Sequence, residues 1–140
     1  MTDLKLLALD AEDLEVISAT TQDAVVRVGD MGFAQADKRF ALLMNRYAWE
    51  ETGKQGQRKR TALHFDRVEA VQAAGINLEA QEGVLELLAI RFLPTADPAG
   101  SVELSFAGGG TVRLTVECLE ARLQDLGAAW AAKLKPEHAA

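Results

Sequence analysis

Ser101-Val-Glu-Leu-Ser-Phe-Ala-Gly-Gly-Gly-Thr-Val-Arg-Leu-Thr-Val116 is the most plainly patterned stretch of the chain. Val102, Leu104 and Phe106 alternate with Ser101, Glu103 and Ser105; Val112, Leu114 and Val116 alternate with Thr111, Arg113 and Thr115. Strict alternation turns one set of side chains toward a core and the other toward water, the mark of a half-buried strand. Gly108-Gly109-Gly110 between the two runs supplies backbone that tolerates positive φ, so the pair predicts a β-hairpin. Upstream, Val84 to Leu93 is a near-continuous apolar run that stops at Pro94, and Ala96-Asp97-Pro98-Ala99-Gly100 predicts a turn. Downstream, Leu119, Leu123, Leu126 and Trp130 fall at i, i+4, i+7 and i+11. With Glu117 and Glu120 at one end and Lys133, Lys135 and Pro136 at the other, that spacing predicts a C-terminal amphipathic helix.

The first half is less regular. Leu4 to Leu9 predicts a strand, and Ala11 to Thr21 a helix entered through an Asp10 cap. Ala24 to Val28 and Phe33 to Ala36 predict strands joined through Gly29-Asp30-Met31-Gly32. Phe40 to Trp49 begins apolar on both alternate sets, as a mid-sheet strand does. Glu51 to Arg60 reads as a charged loop with Gly53 and Gly56. In Thr61 to Val71, Leu63 and Phe65 are out of phase with Val68 and Ala70, which predicts a bulge near Asp66-Arg67. Gly75 to Gly83 reads as a loop. The sum is an α+β fold: a bent antiparallel sheet or barrel of about seven strands with a C-terminal amphipathic helix, plus an N-terminal strand and helix. That order resembles the pleckstrin-homology-like superfold, and residues 1–140 read as a single domain.

At 140 residues, 49% of them apolar and 26% charged, the chain has the composition of an ordinary soluble globular domain. A net charge of −6 argues against nucleic acid and anionic lipid as partners. The single cysteine, Cys118, has no partner for an internal disulfide, which fits a reducing cytoplasm. No apolar run approaches the ~20 residues of a membrane helix, and the N-terminus lacks the basic start of a signal peptide, so no membrane insertion is expected.

Within this acidic chain Lys54, Arg58, Lys59, Arg60 and Arg67 concentrate positive charge, close after Tyr47 and Trp49. Such a cluster suits an acidic protein or a phosphorylated ligand, with aromatic groups at hand; charged glycine-containing loops are also common without any ligand. His64 and Asp66, two apart on a strand, share a face with Arg67 next in line, the spacing for a carboxylate orienting an imidazole. No serine, threonine or cysteine stands beside them as a nucleophile. With only His64 and His138 and one cysteine, no metal site is expected, and no cofactor motif is present. Gly108-Gly109-Gly110 opens onto a strand, whereas phosphate-cradling loops open onto a helix. Three readings follow. The first is a non-enzymatic cytoplasmic binding or scaffold module using residues 51–60 and the flanking strands. The alternatives are a small enzyme with a polar site at His64, Asp66 and Arg67, and a structural homodimer subunit joined through a sheet edge or apolar helix face.

Several segments in order carry a further resemblance: Asp23 to Met31, Phe40-Ala-Leu-Leu-Met-Asn-Arg-Tyr-Ala-Trp-Glu50, Arg60-Thr-Ala-Leu-His-Phe-Asp-Arg-Val68, Leu87-Leu-Ala-Ile-Arg-Phe92, Phe106-Ala-Gly-Gly-Gly110 and Val116-Glu-Cys-Leu-Glu-Ala121. Together they resemble the domain-of-unknown-function family numbered 2948, small proteins mainly of alphaproteobacteria. The resemblance spans nearly the whole chain. It implies a bacterial cytoplasmic protein and brings no catalytic residues with it.

Overall fold

The computed structural model describes residues 3–48 and 58–127. Trp49, Lys54, Trp130 and His138 lie outside the described residues, as do 51–57 of the expected loop and the end of the expected C-terminal helix. The first strand, β1 (Lys5–Ala8), leads into α1 (Ala11–Thr20), whose cap is Asp10: its Oδ1 accepts the Asp13 amide at 2.8 Å. This N-terminal pair matches the reading from sequence. Leu14 and Ile17 are the buried side of α1, which lies against β7 (Val84–Pro94), where Ser18 Oγ accepts the Ile90 amide at 2.9 Å.

The remaining strands are β2 (Val25–Arg27), β3 (Met31–Ala34), β4 (Arg39–Tyr47), β5 (Arg58–Phe65), β6 (Val68–Ala74), β8 (Gly100–Phe106), β9 (Thr111–Val116) and β10 (Ala121–Asp125). All pairings are antiparallel, in the order β1-β10-β5-β4-β2-β7-β8-β9-β6, with β3 also on β4. β7 is shared. Its first three residues pair with β2, and from Leu87 it pairs with β8, with a register shift between Leu87 and Ala89. A bulge bends a strand and increases its twist, so the sheet turns over at this point. The two halves then face one core, in which Leu42, Leu63, Phe65 and Leu123 from one half join Leu104, Phe106, Leu114 and Val116 from the other.

The 101–116 hairpin is as expected. β8 and β9 pair from Gly100↔Val116 to Ser105↔Thr111, and Gly108 and Gly109 take φ of 90° and 95° in the turn. Other expectations need correction. The fold is not the anticipated seven-stranded sheet plugged by a C-terminal helix: among the described residues there are ten strands, the sheet they form is not closed, and the one α-helix is α1. Residues 121–125 form β10, inserted between β1 and β5. Leu119 and Leu123 are buried as expected, but Ala121 and Asp125 share that burial while Arg122 and Gln124 are exposed. A spacing of four is common to both periods, because it is one helical turn and also two strand repeats. Polar Asp125 concealed the strand phase. The slot between β1 and β5 then decided it, since a strand there satisfies backbone groups on both sides.

Ala24–Val28 and Phe33–Ala36 do not form a hairpin. β2 and β3 lie in succession along the same edge of β4, separated by a single 3-10 turn over 28–30. Val28 and Gly29 donate to Gly83 O and Gln81 O, which pins that turn to the loop before β7. The phase break near Asp66-Arg67 is real but larger than a bulge. Arg67 sits at φ 62°, and the chain there leaves one half of the sheet for the other. Arg58, Lys59 and Arg60, expected in the loop, begin β5 instead.

Candidate functional site

Alternation on β4, β5 and β10 sends Leu42, Met44, Leu63, Phe65 and Leu123 inward and leaves the intervening residues on an outer face. Register aligns these outward residues in rows across the strands. One row runs Leu7, Arg122, His64, Ala41 and Gly32 from β1 to β3; the next runs Lys5, Gln124, Ala62 and Leu43. Small side chains in the middle of both rows hollow the face. One depression of about 510 Å³ is lined by Lys5, Leu7, Ala62, His64, Arg122 and Gln124 among others. A second, of about 380 Å³, is lined by Asp30, Gly32, Ala41, Leu43, Ala62 and His64 among others. Ala62 and His64 border both. A Cβ on Gly32 would meet nothing within 4 Å, so this glycine keeps the second hollow open.

The outward strand positions here carry Lys5, Arg39, Arg58, Arg60 and Arg122, and no carboxylate among the described residues. Carboxylates approach from the turns. Asp30 Oδ2 lies 3.3 Å from Arg60 Nη2, and Asp66 Oδ1 accepts Arg39 Nε at 2.7 Å. No carboxylate among the described residues pairs with Lys5 or Arg122. Arg58 stacks its guanidinium 5.8 Å from the Tyr47 ring centre and donates to Asn45 O at 3.0 Å.

His64 Nε2 is buried and 3.4 Å from Asp66 Oδ2, without hydrogen-bond alignment. Burial, and then the Arg39 charge, hold its pKa below the usual 6.5, against the opposing pull of Asp66. At neutral pH the imidazole is therefore uncharged. Arg67, expected beside this pair, turns away to Glu120 at 3.8 Å. The corner offers a base, but no serine, threonine or cysteine lines either depression among the described residues. Nor do three His, Cys, Asp or Glu side chains gather anywhere among them to hold a metal. No helix among them is long and apolar enough to cross a membrane.

The family model of DUF2948, described as a protein of unknown function, matches residues 4–138. The chain belongs to the DUF2948 family. No curated protein matches it, and no solved structure does. For this DUF2948 member the structure thus places Arg58, Arg60 and His64 on one outer face, with Arg67 at its corner. Lys59 parts from them: it points inward, 8% exposed, with its Nζ 3.9 Å from Asp3.

Inward from Lys59 lies a group that sequence reasoning missed. Arg46 is fully buried and holds Asp125 by two hydrogen bonds, of 2.8 and 2.7 Å. Thr61 Oγ1 donates to Asp125 Oδ1 at 2.8 Å, and the Leu4 amide to Oδ2 at 2.9 Å. The signal was present in the strand phase. Arg46 continues the inward series Phe40, Leu42, Met44, and Thr61 and Lys59 continue Phe65, Leu63.

Proposed function

We propose that this protein is a non-enzymatic binding module whose outer face on β1, β10, β5, β4 and β3 grips an extended acidic polypeptide segment. The carrying observation is the pair of adjoining hollows, the first lined by the outward cations Lys5 and Arg122, on a molecule of net charge −6. An extended chain lying across the strands would place apolar side chains over Ala41, Ala62 and Leu43 and its carboxylates against Arg122 and Lys5. Because Arg122 and Lys5 have no carboxylate partner among the described residues, they meet an incoming anion without first breaking an ion pair. The basic residues 58–60 enter this reading through Arg58 and Arg60, as strand residues.

Fluorescence anisotropy with a labelled glutamate-rich peptide tests it. Binding is expected for the native chain and is lost in Lys5→Gln/Arg122→Gln. Arg91→Gln/Arg113→Gln, which removes the partners of Glu103 on the other half of the sheet, retains it. Equal loss in both variants, or no binding by the native chain, overturns the reading.

A further inference from the structure

β6 ends the strand order, with β9 as its ladder partner on one side. On the other side Val68 donates its amide to Lys38 O at 2.9 Å, and from Ala70 to Ala74 no backbone partner follows among the described residues. Unpaired N–H and C=O groups on an exposed strand are a template for another strand, and proteins usually blunt such edges with charge, proline, a bulge or shortness. The opposite edge, β1, has four residues, carries Lys5 and has α1 packed against it. Ala70-Val-Gln-Ala-Ala74 carries no charge and no proline, and its register shift falls before Ala70. Although the turn over 35–37 packs against β6, four of these five residues are exposed. A second observation concerns the core. Val71 and Ala73 stand opposite the buried Leu114 and Val112, yet Ala73 is exposed and Val71 only half-buried. The apolar floor reaches the edge and stops uncovered.

We propose that this edge is a homodimer interface, in which β6 of a second copy pairs antiparallel about a two-fold axis at Gln72. In that register Val71 meets Ala73 of the second copy on the core side and Ala70 meets Ala74 on the outer side. Gln72 faces its own counterpart, where two amides exchange hydrogen bonds. The stretch is self-complementary and uncharged. Two molecules of net charge −6 repel over most of their surface, and here Glu69 falls opposite Gly75 rather than another carboxylate. The interface lies apart from the proposed anion-binding face and does not depend on it.

Sedimentation equilibrium over micromolar to millimolar concentrations reads the result. The native chain is expected to move from 15.1 kDa toward twice that mass. Ala73→Lys, at an exposed position, places a charge on the uncovered floor and keeps the protein at its monomer mass. Leu7→Lys on the β1 edge leaves the dimer intact. The register has its own test: Ala70→Glu/Ala74→Glu opposes like charges and dissociates the dimer, while Ala70→Lys/Ala74→Glu sets opposite charges face to face and preserves it. Circular dichroism establishes that each variant is folded. A native chain that stays at monomer mass throughout, or a dimer broken by Leu7→Lys rather than Ala73→Lys, overturns the proposal. Identical behaviour of the two charged doubles overturns the register.

Discussion

Arg46 and Asp125 show how a single pair ties distant parts of the chain together. Asp125 closes β10, Arg46 lies on β4, Thr61 on β5, and the Leu4 amide brings in the N-terminus. Burial by itself would raise the Asp125 pKa; hydrogen bonds from Arg46, the Leu4 amide and Thr61 outweigh it and hold the carboxyl below its usual 3.8. A depressed carboxyl pKa contributes stability that is complete above the unfolded value and lost as pH falls from there through the folded one. Acid unfolding of the native chain should therefore begin below about pH 4, the unfolded carboxylate range. Asp125→Asn removes the carboxylate charge that Arg46 holds through two hydrogen bonds and should cost about 3–5 kcal/mol in urea unfolding. A cost under about 1 kcal/mol would show that the pair contributes little. His64 gives a second residue-scale expectation. The charged or titratable groups around it are Arg39, Asp66, Arg122 and Glu120, and burial is the largest influence. Its NMR titration should have a midpoint below 6.5, so the associated stability is present above that pH and declines below it. A midpoint above 6.5 would mean that Asp66 dominates.

At the scale of elements, β10 is the instructive case. Its inward residues are Ala121, Leu123 and Asp125, and Leu123 is 1% exposed in the shared core. Leu123→Ala should cost on the order of 2–5 kcal/mol. Leu126, a member of the same helical stripe on paper, is only half-buried beyond the end of β10, so Leu126→Ala should cost clearly less. Equal costs would restore the helical phase. Chemical denaturation of the two variants reads the difference directly. The same alternation explains why Arg122 stands on the outer face: in a strand it must oppose Leu123. The candidate site is thus a consequence of β10 being extended.

At the scale of the whole molecule, charge is unevenly divided. The chain carries −6, yet the outward strand positions from β1 to β3 hold five basic residues, Lys5, Arg39, Arg58, Arg60 and Arg122. Exposed charges are screened over roughly 10 Å at 0.1 M salt. Association with an acidic peptide should weaken steeply between low and physiological salt, while the urea midpoint, which rests on the buried core, moves little. Anisotropy and denaturation measured in the same buffers separate the two; binding indifferent to salt would remove the charge argument.

What the sequence determined by itself was local. Alternation in 101–116, three glycines for a turn, an aspartate cap before α1 and the phase break at Asp66-Arg67 are each set by neighbours a few residues apart, and each stands where expected. The family membership was also legible, because it rests on ordered segments over the whole chain. Tertiary structure decided the rest. Leu119 and Leu123, four residues apart, suit a helix and a strand about equally, and only the vacant slot between β1 and β5 selected the strand. Arg58 and Arg60 look like loop residues until β4 offers them a ladder, and the phase that turns Arg46 inward does not name its partner, Asp125, 79 residues away. Backbone hydrogen bonds and buried charges must both be satisfied, and their partners here come from distant segments, which no local pattern specifies.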